Sequence, residues 1–283
     1  MPPTWIARGV ALLPDSRPRV MGILNVTPDS FSDGGRSFDL QAAIANALAL
    51  IADGADILDV GGESSRPGAG VVALDEELRR VLPVIESIAA TLPYVPISID
   101  TAKPEVARRA LAAGAWIVND IGGLRDPKML RVVADSHAGV IVMHMAGTPQ
   151  TMQDDPFYQD VVEEVRDYLI AQVDRAERAG IARDRVAVDP GIGFGKTHAH
   201  NLELLRNTAR FATLGCALLV GTSRKGFLGK ITGRPTEQRV AASVVSSLFA
   251  AVQGANVLRV HDLGPMSDAI KVWGAVQGWE PKR

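Results

Sequence analysis

The chain has 283 residues, 47% hydrophobic and 22% charged, with a formal net charge of -2 at pH 7. That balance is ordinary for a globular protein and provides no overall positive field to attract nucleic acid or an anionic membrane. The single cysteine, Cys216, excludes an internal disulfide and any cysteine-cluster metal site.

At the N-terminus, Met1-Pro2-Pro3-Thr4-Trp5 has no basic segment followed by an apolar run, so no signal peptide is expected. No apolar run approaches the roughly 20 residues that span a bilayer, and a soluble cytoplasmic protein is expected. Residues 1–19, with the turn-rich Pro14-Asp15-Ser16-Arg17-Pro18, read as a small hairpin or cover. An alternation then begins. Strand-like apolar runs are Val20–Leu24, Ile57–Val60, Ile97–Ile99, Ile117–Val118, Val140–Met143, Val186–Val188, Leu218–Gly221 and Val257–Val260. Helical patterns lie near 40–52, 75–91, 104–113, 127–136, 158–179, 200–212, 236–253 and 264–277. Gly54, Gly114, Gly180 and Gly254 each close a helix just before the next strand. The strands show no period of two, as expected where both faces of a parallel sheet are buried. Cys216, next to the apolar Ala217–Val220, is expected to be buried and inert.

Eight βα units in a chain of this length predict one α/β domain over 1–283, a TIM (β/α)8 barrel over 20–277 behind the N-terminal cover. The runner-up, an open doubly wound sheet, would carry a glycine-rich Gly-x-Gly-x-x-Gly turn after its first strand, and none occurs. A barrel places its chemistry at the C-terminal strand ends. Those ends carry Asn25, the run Glu63–Gly68, Asp100, Asn119-Asp120, His144, Asp189, Ser223-Arg224-Lys225, and Arg259 with His261. Carboxylates and an amide suit the N–H groups of a flat nitrogen heterocycle, and the cationic groups suit a carbonyl or a phosphate. Three other motifs do not hold. Gly195-Lys196-Thr197 has proline at position 190 where a phosphate-binding loop needs glycine. His198-Ala199-His200 lacks carboxylate or cysteine partners and reads as a helix start. Asn25-Val26-Thr27 fits a glycosylation acceptor in a chain that nothing exports.

The run Met21–Gly35, with Asn25-Val26-Thr27-Pro28-Asp29-Ser30-Phe31 at its centre, resembles the first signature of the dihydropteroate synthases. Asp59–Gly68, Ser98–Thr101, Val118–Ile121, Met143-His144-Met145, Asp189–Lys196, Gly221–Lys225 and Arg259–Asp262 follow in the family's order, so the resemblance covers the chain from Val20 onward. It implies a transferase of folate biosynthesis that condenses a dihydropterin diphosphate with p-aminobenzoate and is the target of sulfonamides. It assigns Asp100, Asn119, Ile121, Met143, Asp189 and Lys225 to the pterin. Asn25, Ser65, Arg66, Arg259 and His261 go to the diphosphate, with Asn25 next to Mg²⁺. Phe31, Ser65, Pro67, Phe194 and Ser223 go to p-aminobenzoate. Asp33, Arg66 and Lys225 are its implied catalytic residues, and loops of about 27–37 and 63–72 are implied to close over the substrates. A homodimer is also implied, with the apolar Ala241–Ala251 as the expected contact. The sequence departs from the pattern at Ser65 (usually Thr), Gly226 (commonly Ser) and Ala146 (often Gln). A corrinoid methyltransferase on the same barrel, or a paralogue that binds pterin without turnover, are the competing readings.

Overall fold

The structure, a computed structural model, describes residues 3–26, 40–64, 68 and 70–278. Strands β1 (Ile6–Ala7) and β2 (Val10–Ala11) pair as an antiparallel hairpin. Its turn is Arg8-Gly9, both with positive φ. Eight strands follow: β3 (Arg19–Asn25), β4 (Ile57–Gly61), β5 (Ile97–Asp100), β6 (Ile117–Asp120), β7 (Gly139–Met143), β8 (Val186–Asp189), β9 (Ala217–Val220) and β10 (Val257–Val260). They are parallel, lie in chain order around a closed barrel, and β10 pairs with β3 to seal it. The expected barrel, its eight strands and its hairpin are all present.

The helices that cover the barrel are α1 (Leu40–Ala52), α2 (Leu74–Thr91), α3 (Pro104–Ala112), α4 (Pro127–Ala134), α5 (Val161–Arg178), α6 (His198–Arg206), α7 (Thr208–Ala212), α8 (Gly226–Thr232), α9 (Val240–Val252) and α10 (Leu263–Val276). Gly54, Gly114, Gly180 and Gly254 follow helices with φ between 90° and 118°, a conformation that costs glycine little. Three helical expectations need correction. The stretch 200–212 is two helices, because Asn207 leaves helical geometry and its side chain donates to the Glu203 carbonyl at 2.9 Å. The stretch 236–253 is helical only from Val240; a short 3₁₀ turn at 236–238 precedes it, after Pro235. The segment expected at 158–179 starts at Val161, where Asp160 accepts from the Val162 and Glu163 amides at 3.0 Å. Helix α8 was not expected at all. It ends at Gly233, whose φ of 67° stops it.

Barrel register sets the height of the site. Asn25 pairs with Gly61, Gly61 with Asp100, and Asp100 with Asn119, so these residues share one rung at the C-terminal rim. Asp59 pairs with Ser98 below that rung. The other end of the barrel is closed and apolar. Trp5, Ala7, Leu12 and Leu13 bury against the inward side chains Met21, Ile57, Ile117, Ile141, Leu219 and Val257. The Trp5 indole is fully buried and donates to the Arg185 carbonyl at 3.2 Å. This is the expected cover, and it leaves the C-terminal mouth as the polar end. Cys216 is fully buried, and burial pushes its thiol up to about 11. Among the described residues no helix is long and apolar enough to cross a membrane.

Because the indole fills the floor, Trp5→Ala leaves a cavity that nothing nearby can fill. The expected cost is about 3–5 kcal/mol of unfolding free energy, read as a lower urea midpoint with an unchanged slope.

Candidate active site

Each strand ends in a polar residue because the chain leaves the core there, but the side chains converge more tightly than that alone requires. At the centre is Arg259, on the inward side of β10. Its Nε donates to Asp59 Oδ2 at 2.6 Å and its Nη2 to Asp100 Oδ2 at 2.7 Å. Asn119 Nδ2 donates to the same Asp59 oxygen at 3.0 Å. Asp59 is fully buried and joins β4, β6 and β10. Burial works against the Arg259 charge, but the Asp59 and Asp100 carboxylates outweigh it and hold its pKa above the ordinary arginine value. Burial pushes the Asp100 carboxyl up, and the Arg259 cation opposes it.

Opposite, Asp189 ends β8 and its Oδ1 accepts from the Gly191 amide at 2.7 Å. Burial pushes its carboxyl up, and the charges of Lys225 and Lys196 oppose that. Burial and the Arg259 charge together pull Lys225 down to about 8. Its ammonium stands 3.9 Å from the centre of the Phe194 ring, within cation–π range. Phe194 packs with Met143, Met145, Met152 and the half-buried Ile121 in one apolar cluster. One wall of the mouth is therefore flat and apolar, and the floor facing it is charged. Such a pocket suits a planar, polar-edged ring.

Next to it, His261 and Ser223 form a second polar pair. Ser223 Oγ lies 3.1 Å from both the His261 amide and His261 Nδ1. The hydroxyl accepts from the amide, so its own proton is free to go to Nδ1. The imidazole proton then sits on Nε2. Burial, then the Arg259 charge, lowers His261 to about 3, so the ring is neutral. Asn25 ends β3, and a side chain at Gly61 would meet Asn25 Oδ1 at 3.9 Å and Asp100 Oδ2 at 3.8 Å. The bare glycine thus leaves room between these two acceptors.

The structure brings Asn25, Asp100, Asn119, Asp189, Ser223, Lys225, Arg259 and His261 to one mouth, with Ile121, Met143 and Phe194 forming the apolar wall. Phe31, Asp33, Ser65, Arg66 and Pro67 lie outside the described residues, as do the whole of the loop expected at 27–37 and positions 65–67 and 69 of the loop expected at 63–72. Asp120, at a strand end, faces its own loop and accepts from the Gly122 and Leu124 amides at 2.7 and 2.8 Å. Sequence reasoning missed two sets of residues. Asp59 stood inside a quoted motif but was given no role; a carboxylate in mid-strand of an otherwise apolar run was the available signal. The serines of α9 were read only as an apolar helix. Ser243 Oγ accepts from the Arg224 amide at 2.9 Å, and Ser246 and Ser247 hold Thr222 Oγ1 at 2.8 and 2.9 Å. They hold the Ser223–Lys225 loop, where Arg224 takes a φ of 58° and its side chain pairs with Asp262.

Among the described residues no group of three or more His, Cys, Asp or Glu could hold a metal ion. Asn25 offers one neutral oxygen at the rim. That suits a Mg²⁺ ion that takes most of its ligands from a substrate's phosphates and from water.

Residues 21–261 match the family described as pterin binding enzyme. The dihydropteroate synthase of Escherichia coli strain K12 is 48% identical over 257 residues, covering 91% of this chain and 91% of that one. The dihydropteroate synthase of Xanthomonas albilineans solved with 7,8-dihydropteroate is 49% identical, covers 96% of this chain and 97% of its own, and superposes with a TM-score of 0.86. The Yersinia pestis dihydropteroate synthase solved with a sulfonamide drug is 42% identical, with coverage of 97% and 99% and a TM-score of 0.91.

Asp59→Asn keeps the shape but removes the fully buried carboxylate and leaves the part-buried guanidinium with one carboxylate partner. Breaking a buried pair in this way costs about 3–5 kcal/mol, to be read from urea unfolding of the purified variant. A change of a few tenths would show that Asp100 alone holds Arg259.

Proposed function

The chain belongs to the pterin-binding enzyme family, and we propose that within it the protein is the transferase that condenses 6-hydroxymethyl-7,8-dihydropterin diphosphate with p-aminobenzoate. The products are 7,8-dihydropteroate and pyrophosphate, and the second-substrate site is where sulfonamides act. The observation that carries this reading is the cluster of the buried Asn119 and Asp189 with the half-buried Asp100 and Lys225, beside the Met143–Phe194 wall, in a chain 49% identical to a synthase seen with 7,8-dihydropteroate.

Asp100, Asn119 and Asp189 bind the amino group and ring N–H groups of the pterin, and Lys225 donates to its carbonyl. Ile121 and Met143 pack on the ring face. Arg259 uses Nε and Nη2 on the carboxylates, and its remaining donors face the diphosphate with His261 Nε2–H. Asn25, Ser65 and Arg66 complete the diphosphate site. Phe31, Ser65, Pro67, Phe194 and Ser223 shape the site of p-aminobenzoate. Asn25 would hold Mg²⁺, which when bound supplies neutralising charge to the diphosphate.

The aromatic amine is neutral near pH 7, so the chemistry needs little base and much help for the leaving group. The reaction is SN1-like. The bond between the pterin CH₂ and the diphosphate oxygen breaks, with its electron pair leaving on the oxygen. The carboxylates of Asp100 and Asp189 favour the positive charge that spreads into the ring, and Arg259, His261 and Arg66 favour the departing anion. The amine lone pair then forms the C–N bond and its extra proton leaves. The family resemblance gives Asp33 the role of shielding the cation from water or lining the amine's approach, and it implies that closure of the first two loops keeps water from capturing the cation.

The protein works as a homodimer in the cytoplasm. Helices α9 and α10 pack side by side and expose Val245, Phe249, Val252, Val272 and Val276, a contiguous apolar face of the kind that marks an interface.

Two measurements follow. With the pterin diphosphate and Mg²⁺, pyrophosphate release is expected to depend on p-aminobenzoate and to match dihydropteroate formed mole for mole. Asp100→Asn should lower kcat/KM by about 100-fold or more. Tight pterin binding without release would instead make the protein a binding paralogue. Light scattering should give the mass of two chains, and Phe249→Glu with Val245→Glu should give one; a wild-type monomer would refute the dimer.

A further inference from the structure

Lys196 is a buried cation with no role in the chemistry above. It is 3% exposed, although Thr197 beside it is exposed and a lysine stem could reach water from here. Its Nζ instead turns inward. It lies 3.0 Å from His144 Nδ1, 2.9 Å from the Phe194 carbonyl and 3.4 Å from the His144 carbonyl. In its charged form the amine can only donate, so Nδ1 of His144 then accepts and the ring proton is on Nε2. Burial, then the Lys196 charge, pulls His144 down to about 3, consistent with a neutral acceptor. Burial pulls Lys196 itself down to about 7, so its placement carries a cost.

The cost falls on a glycine-rich loop that Lys196 holds together with other groups: Tyr158 Oη donates to the Gly195 carbonyl at 2.8 Å, Gln153 Nε2 to the Gly193 carbonyl at 3.0 Å, and Asn201 Oδ1 accepts from the Gly193 amide at 2.6 Å. Between β8 and α6, Gly191, Gly193 and Gly195 all have positive φ, of 67°, 87° and 64°. A side chain at Gly191 would run into the His144 carbonyl, and one at Gly193 would meet Lys225 Cδ at 2.9 Å. The loop therefore lies tight against the end of β7 on one side and Lys225 on the other, and glycine is what permits both contacts. The same glycines give the free loop many conformations to lose. A single amine at its end joins the Phe194 carbonyl to the end of β7. Phe194 is the residue whose ring lies under the Lys225 ammonium.

We propose that Lys196 is a positioning residue. Through the His144 and Phe194 carbonyls and His144 Nδ1, it clamps the glycine loop to β7 and so sets the Phe194 ring against Lys225 and the incoming p-aminobenzoate. The kinetic consequence rests on the synthase reading; the clamp does not.

Hydrogen exchange reads the clamp without catalysis. In Lys196→Met, peptides covering 190–197 should lose protection at least about tenfold, while the barrel strands keep theirs. Unchanged protection there would overturn the proposal. A double-mutant cycle reads the consequence. Lys196→Met should raise the p-aminobenzoate KM about tenfold with kcat within about threefold, and add less than about twofold in a Phe194→Leu background. Effects that multiply, or a lower melting temperature with an unchanged KM, would mean a merely structural lysine. If Lys196→Met does not fold, Lys196→Gln, whose shorter side chain brings two N–H donors to three acceptors, enters the same two experiments with smaller losses in the same direction, and unchanged loop protection and KM would again overturn the proposal. If the wild type releases no pyrophosphate with p-aminobenzoate but the variant loses loop protection, the synthase reading fails and the clamp stands.

Discussion

The guanidinium of Arg259 between the carboxylates of Asp59 and Asp100 is the interaction on which the rest of the mouth depends. It joins β10 to β4 and β5, and Asn119 extends it to β6 through the same Asp59 oxygen. Four of the eight barrel strands are therefore tied together around one part-buried cation, β6 through Asp59. Burying charge is costly, and a fully apolar barrel core of equal volume would be at least as stable. What the arrangement provides is a floor of fixed acceptors and donors held largely away from the surface, where electrostatic contacts are strong.

Around this floor the structure divides its labour. The bottom of the barrel is sealed by Trp5 and its apolar neighbours, with the buried Arg19 beside them, donating to the Leu12 carbonyl at 3.2 Å and paired with Asp15 at 2.8 Å. Three of the described rim loops are held from behind. Glu77, fully buried on α2, accepts from Thr101 Oγ1 at 2.7 Å and from Lys103 Nζ at 2.6 Å, and Lys103 also pairs with Glu63. The α9 serines hold the Ser223–Lys225 loop, and Lys196 holds the loop of Phe194. A rigid floor with individually anchored loops gives a site that can be precise without making the whole barrel stiff.

Much of this was legible in the sequence because the relevant signals are local. Apolar runs that end in Asp, Asn or Arg, each followed by a helical pattern and a closing glycine, are enough to place eight strands and to name the rim. The parts that were not legible depend on distance. Nothing near Asp59 in the chain says that Arg259, 200 residues later, will face it. The serines of α9 matter only because Thr222 and Arg224 lie opposite them. Lys196 looked like the remnant of a phosphate-binding loop, since its partners on β7 are 52 residues away. The break at Asn207 and the extra helix α8 were missed for a different reason. Both are shorter than the roughly 10 residues over which helical periodicity can be read.

The proposed pterin site depends on the charge of Lys225, which the pH dependence of pterin binding reads. Lys225, lowered to about 8 by burial and by Arg259, is charged below that pH and neutral above it. The dissociation constant of a 7,8-dihydropterin for the free protein should therefore be smallest near neutrality and rise as pH passes through about 8 towards about 9, with one proton lost. In Lys225→Met the binding should be weaker throughout and this alkaline rise absent. A wild-type dissociation constant that stays flat over the same range, or an alkaline rise that survives in Lys225→Met, would contradict the account.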